Sequence, residues 1–250
     1  MAAENLITIR DLHKRLGRQE VLRGVDIDIP LGQTLVVLGR SGGGKSVLLK
    51  HIIGLMKPDR GEIIVEDQDI VALSERQLGA VRKKIAILFQ SAALFDSMSV
   101  EENVAFPLHE AGVKDRKVIE QKVAEALEVV DLAGEQKKMP ENLSGGMKKR
   151  VGLARAIVSN PSCILYDEPT TGLDPIATDS INHLIRRLQK RLTVTSVVVT
   201  HDMKTAFHTA NQVAFLHEGV IYFDGGVEQL QSSPDPIIQD FIVGRSGDTD

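Results

Sequence analysis

The chain has 250 residues, 30 Lys+Arg against 34 Asp+Glu, 42% hydrophobic residues, one cysteine and no tryptophan. This composition describes a folded globular chain of one domain or two intimate subdomains and excludes disorder and fibrous repeats. A net charge of −4 with 4% aromatics supplies neither the basic field nor the stacking surfaces of a nucleic-acid binder, so no nucleic-acid partner is expected. The longest unbroken apolar run, Ile85 to Phe89, is five residues, against the ~18 that a membrane-spanning helix requires. Met-Ala-Ala-Glu-Asn at the N-terminus carries no basic cap ahead of an apolar stretch, which points to a cytosolic compartment.

In chain order, Leu6 to Arg10, Val25 to Ile29 and Thr34 to Leu38 read as strands in an antiparallel, half-solvated pattern. From Gly39 a glycine-rich turn runs into the helical stripe Val47, Leu48, Leu49, Ile52, Ile53, which stops near Gly54 and Pro58. About Ser91 to Asn160 the pattern is mostly helical, with Val118, Val123, Ala126, Leu127 and Val130 forming one apolar face. Strands return at Cys163 to Tyr166, Val194 to Thr200, Val213 to Leu216 and Val220 to Phe223, with helices at Pro175 to Leu192 and Met203 to Ala210. Alternating strands and helices imply a parallel core sheet. The helical middle, 91–160, then reads as an insertion into an α/β domain built from 1–90 and 161–243, with 244–250 a polar tail. Cys163, inside an apolar strand, reads as a buried structural thiol.

Gly39-Arg40-Ser41-Gly42-Gly43-Gly44-Lys45-Ser46 fits the pattern G-x-x-x-x-G-K-[ST] between a strand and a helix, the context a phosphate-binding loop requires. Glycines let successive N–H groups curl around phosphate oxygens, and the helix that follows points its positive end at them. The expected nucleotide-binding set is Gly39, Arg40, Ser41, Gly42, Gly43, Gly44, Lys45, Ser46 and Val47. Lys45 would neutralise the β/γ-phosphates and Ser46 would hold Mg²⁺.

Two carboxylates, Asp167 and Glu168, end the apolar strand at Cys163, where ligands gather in open α/β sheets. Asp167 would reach Mg²⁺, and Glu168 would accept a proton from the water attacking the γ-phosphate. His201 ends Val197-Val198-Val199-Thr200 and reads as a hydrogen-bonding sensor of that phosphate. Gln90 follows the run at Ile85 and reads either Mg²⁺ or the attacking water. Basic clusters at Arg82-Lys83-Lys84, Lys148-Lys149-Arg150 and Arg186-Arg187 read as solvated helix faces.

Leu143-Ser144-Gly145-Gly146-Met147 precedes the helical stretch Lys148 to Val158 and makes a second helix N-terminus able to bind phosphate through Ser144, Gly145 and Gly146. It resembles the signature motif L-S-G-G-Q of the ATP-binding cassette (ABC) ATPases. The loop at Gly39, Gln90, the acidic pair, Gly172-Leu173-Asp174 and His201 match that family in order and spacing. The resemblance implies a P-loop, RecA-like α/β core with an N-terminal antiparallel β subdomain and an inserted α-helical subdomain. It also implies hydrolysis of ATP with Mg²⁺ in a head-to-tail homodimer whose two sites are shared. Two positions depart from the family's commonest pattern. Leu16 falls near the place of the ring that usually stacks on adenine, and Met147 replaces the signature glutamine.

The segment Phe89 to Val104, together with the L-S-G-G-M form, looks like that of the ATPases of Mla-type, MCE-linked lipid transporters, which move phospholipids between bacterial membranes. That likeness implies a place on the cytoplasmic face of the inner membrane and two partners. One is an integral membrane permease docking around Ala92 to Pro107, where Leu94, Phe95 and Met98 are apolar. The other is an MCE-domain lipid-binding protein. Another cargo is the alternative within the family. A soluble ABC ATPase of DNA repair or translation is the alternative outside transport.

Overall fold

The computed structural model of the chain describes residues 4–245; the sequence-read tail therefore lies outside the described residues from 246 onward. Alternating apolar residues pair β1 (Asn5–Leu16) with β2 (Gln19–Pro30) as an antiparallel hairpin. It buries Ile7, Ile9 and Leu12 together with Leu22, Val25, Ile27 and Ile29. A register shift at Asp11, whose φ is 48°, keeps Leu12 on the buried side after Ile9.

β3 (Thr34–Leu38) leads into α1 (Lys45–Ile52), after which β4 (Arg60–Val65) and β5 (Gln68–Asp69) return to the hairpin and complete a sheet ordered β2-β1-β4-β5. Next come α2 (Glu75–Lys84), capped by Ser74 with Gln77, and β6 (Ile85–Leu88). A helical stretch follows: α3 (Val100–Glu110), α4 (Arg116–Val129) and α5 (Gly145–Ile157), each started by a side-chain cap from Ser99, Asp115 or Ser144. Residues 91–160 contain no strand, as their periodicity predicts. Then follow β7 (Cys163–Asp167), α6 (Pro175–Leu192), β8 (Thr195–Thr200), α7 (Met203–Thr209), β9 (Gln212–His217) and β10 (Val220–Gly225). The short α8 (Val227–Gln231) and α9 (Pro236–Val243) close the described chain.

The second sheet runs β10-β9-β3-β8-β7-β6, parallel except for β10. Thr34–Leu38 belongs here, which corrects its grouping with the antiparallel, half-solvated strands. Every residue of β3 is buried, because Leu35-Val36-Val37-Leu38 has no polar alternation and both sheet faces are covered. Successive side chains of this sheet serve opposite cores. Leu35, Val37, Leu165, Val197 and Val199 pack toward the antiparallel sheet and α1, whereas Val36, Leu38, Ile164, Tyr166 and Val198 pack toward the helices. Cys163 is fully buried, and burial pushes its thiol above the ordinary range. Among the described residues, no helix is long and apolar enough to cross a membrane.

Candidate functional site

The loop after β3 turns on glycines with separate duties. A Cβ at Gly39 would lie 2.6 Å from the Leu216 carbonyl oxygen, and Gly44 caps α1 at φ 98°, a left-handed conformation that glycine adopts without strain. This geometry turns Lys45 back across the loop. Its ammonium, 4% exposed, donates to the carbonyls of Gly39 at 2.9 Å and Arg40 at 3.1 Å and lies 3.3 Å from Oε1 of Glu168. The next residue, Ser46, donates its hydroxyl to Oδ1 of Asp167 at 2.7 Å.

Parallel pairing of β7 with β6 and β8 delivers the acidic pair to the same sheet edge as the loop. The Glu168 N–H continues the ladder to Val199 at 3.0 Å, while its φ of 47° is rare for a residue with a Cβ. Its Oε2 lies 2.9 Å from Nδ1 of His201 and accepts from Thr171 at 3.3 Å and Thr200 at 3.4 Å. One cavity of about 280 Å³ is lined by Ser41, Gly42, Gly44, Lys45, Ser46, Val47, Gln90, Glu168 and His201. Asp167 joins this group through Ser46. The cavity and its neighbour Asp167 combine a buried ammonium, a backbone turn, two carboxylates and an imidazole. Such a set can hold a polyphosphate and move a proton beside it.

Ser144, Gly145 and Gly146 do not line that cavity. They open α5, with Ser144 and Gly145 exposed and the Ser144 hydroxyl accepting from the Met147 N–H at 3.3 Å. A Cβ at Gly145 would approach Leu173 to 3.2 Å, which packs the start of α5 against the Gly172-Leu173-Asp174 turn. The residues expected at the nucleotide therefore form two separate groups in one chain.

Sequence reasoning missed three neighbours of the catalytic candidate. Thr171 and Thr200 give no local signal as partners of Glu168. Lys149, expected on a solvated basic face, is instead 4% exposed, donates to the Gln90 carbonyl and reaches the Glu168 carbonyl oxygen at 3.4 Å. Burial pulls its ammonium below the ordinary lysine range, opposed by the charges of Asp167 and Glu168. Arg150 is also engaged, with Asp131 at 2.6 Å and Ser180 at 2.6 Å. Arg82 donates to Gly54 at 2.7 Å; Lys83 and Arg186 are exposed as expected of a solvated face, whereas Lys84 and Arg187, also exposed, pair with Glu66 and with Asp131.

Residues 22–171 match the profile of the family described as ABC transporter. Over 243 residues the chain is 40% identical to the intermembrane phospholipid transport system ATP-binding protein MlaF of Haemophilus influenzae, covering 97% of this chain and 92% of that one. It is likewise 40% identical over 239 residues to a probable ribonucleotide transport ATP-binding protein, mkl, of Mycobacterium leprae, covering 96% and 69%. The fold superposes with a TM-score of 0.81 and 30% identity on MJ0796, an ATP-binding cassette solved as a dimer in a post-hydrolysis state with ADP and Pi, covering 88% of this chain and 98% of that one. A sheet edge that gathers the Gly39–Ser46 loop, Glu168 and His201 thus belongs to a chain whose sequence matches one family along most of its length. The chain belongs to the ABC transporter family, as an ATP-binding cassette that hydrolyses ATP.

Proposed function

We propose that this cassette powers phospholipid transport between bacterial membranes. It would act on the cytoplasmic face of the inner membrane with an integral permease and an MCE-domain lipid-binding protein. The observation that carries the cargo is the 40% identity to a phospholipid-transport cassette over 97% of this chain and 92% of that one. The segment Phe89 to Val104 and Met147 support the same reading. Phe95 and Phe106 pack with tilted rings, centroids 4.8 Å apart, near a cavity of about 510 Å³ where Met98, Ala105, Phe106 and Ile119 lie among charged residues such as Glu101, Lys114 and Arg116, a mixed surface suited to an amphipathic permease helix. Leu94 is half-buried and packs partly on the helical core.

In the catalytic assignment, the Gly39–Ser46 loop and Val47 hold the ATP phosphates and Lys45 neutralises their charge. Ser46 and Asp167, 2.7 Å apart, and the Gln90 amide are hard oxygen donors of the kind that hold Mg²⁺. Bound there, Mg²⁺ would neutralise the β- and γ-phosphate oxygens. Glu168 takes the proton of the attacking water as its oxygen bonds the γ-phosphorus and the bond to the bridging oxygen breaks, releasing ADP. His201 holds the γ-phosphate and Gln90 orients the water. Ser144, Gly145 and Gly146 complete the site from a second copy in a head-to-tail homodimer. Their absence from the cavity lining and the exposure of Ser144 and Gly145 support this arrangement.

A second cargo reading comes from the mycobacterial relative named for probable ribonucleotide transport, of which this chain covers 69%. Affinity purification of the tagged chain from its native membranes in mild detergent separates the two. Recovery of one permease, an MCE-domain protein and phospholipid is expected; a different permease without an MCE-domain protein would overturn the cargo while leaving the ATPase assignments intact.

A further inference from the structure

Helix α5 grips the segment around Gln90 along a single face. Lys149, Gly152 and Arg155 recur every third residue and share one side of the helix. Lys149 donates to the Gln90 carbonyl. A Cβ at Gly152 would meet the tip of the Leu88 side chain at 2.7 Å and Ala92 at 3.3 Å, so the glycine lets α5 approach this segment closely. Arg155 donates to the carbonyls of Ala92 at 2.7 Å and Ala93 at 2.8 Å. Those two alanines have φ of 61° and 46°, and the guanidinium braces a turn that residues with a Cβ rarely adopt. Lys149 alone reaches further, to the carbonyl oxygen of Glu168 at 3.4 Å.

We propose that Lys149 is a positioning residue for ATP hydrolysis: its buried ammonium ties the backbones of Gln90 and Glu168 to the helix that carries the signature at its N-terminus. Movement of the signature then reaches Gln90 and Glu168 through one side chain. Packing alone does not explain a charge here, because an apolar side chain of similar volume fills such a position at lower desolvation cost. The partners are two backbone carbonyls, one on each residue proposed to act on the attacking water. A small shift of such groups costs turnover while leaving ground-state binding intact.

The inference rests on the assignment of Glu168 and Gln90 made above, and the test separates the two. Lys149→Met, Lys149→Arg and Glu168→Gln are compared with wild type as full chains in the purified permease complex. Turnover, KM for ATP, affinity for a non-hydrolysable ATP analogue and melting temperature are measured. Lys149→Met is expected to melt at or above the wild-type temperature, keep analogue affinity and KM within about twofold, and lose about tenfold or more in kcat. Lys149→Arg keeps a cationic donor and is expected to recover most of the loss. Full turnover in folded Lys149→Met with inactive Glu168→Gln would overturn this inference alone, whereas full turnover in Glu168→Gln would overturn the underlying assignment. A parallel fall in kcat, analogue affinity and melting temperature that Lys149→Arg does not relieve would make Lys149 a packing residue and also overturn the inference. If Lys149→Met does not fold, Lys149→Gln carries the same comparison of kcat with KM.

Discussion

Nδ1 of His201 lies 2.9 Å from Oε2 of Glu168, so the imidazole ending β8 and the carboxylate after β7 form one unit. The other carboxylate oxygen faces the Lys45 ammonium at 3.3 Å. Glu168→Gln keeps the shape and removes the proposed base. Hydrolysis in the assembled complex is expected to fall by about 10²- to 10⁴-fold, with ATP retained and the dimer stabilised. Phosphate release and size-exclusion chromatography with ATP measure both effects. A full rate would remove Glu168 from proton transfer.

Ser144→Arg tests the shared site. Ser144 is exposed and lies outside the cavity of its own chain, so an arginine there leaves nucleotide binding by one chain intact. In a head-to-tail pair the same side chain would crowd the partner's γ-phosphate and block closure. The expected outcome is unchanged ATP affinity of the isolated chain by fluorescence titration, with hydrolysis by the complex abolished. Normal turnover would exclude Ser144 from the site.

Legibility of the sequence follows from how local each cause is. Helix α6 begins where the Asp174 carboxylate accepts from the N–H groups of Ile176 and Ala177 and Pro175 occupies the first turn, so its start is written in adjacent residues. The Gly39–Ser46 loop is equally local, a fixed spacing between one strand and one helix. Thr34–Leu38 is different, because its place as an interior parallel strand depends on β8 and β9, more than 150 residues away in sequence. Arg60–Val65 shows little alternation, and its pairing with β1 supplies the strand signal its own residues lack. Lys149 was hidden by its neighbours: three consecutive helical residues point about 100° apart, so a basic run cannot be uniformly solvated when the helix packs on one side. The left-handed φ of Glu168 has no signature in residue type.

Asn103 links the proposed docking face to stability. Fully buried in α3, it accepts from the Phe95 N–H at 2.8 Å and donates to the carbonyls of Phe95 at 3.1 Å, Met98 at 3.0 Å and Ser99 at 3.0 Å. One amide therefore shapes the turn that presents Phe95 and Met98. Asn103→Leu leaves those backbone groups without their partner and is expected to destabilise the chain by about 2–4 kcal/mol in urea titration. The variant is also expected to recover less permease on affinity purification. Stability within about 0.5 kcal/mol of wild type would show that the turn holds its shape without Asn103.

Asp131, just after α4, receives Arg187 of α6 at 2.7 Å and Arg150 of α5 at 2.6 Å on one carboxylate oxygen, joining three helices. The hydrogen bond from Arg187 is the main cause that holds its carboxyl below the ordinary aspartate range; burial works against it and Arg150 adds to it. A depressed folded value means that the unfolded chain takes up the proton first as pH falls. The stabilisation is therefore complete above the ordinary aspartate range and disappears as pH drops through the depressed value. The carboxylate is 52% exposed, so solvent and salt screen it and its contribution is below about 1 kcal/mol. Melting temperatures of wild type and Asp131→Asn at neutral pH, and again at a pH that protonates Asp131, read this directly. A gap at neutral pH that closes in acid, and narrows in about 1 M salt, is expected. A gap that persists in acid would show that the charge of Asp131 is not its cause, since asparagine tolerates the φ of 58° at this position and removes only the charge.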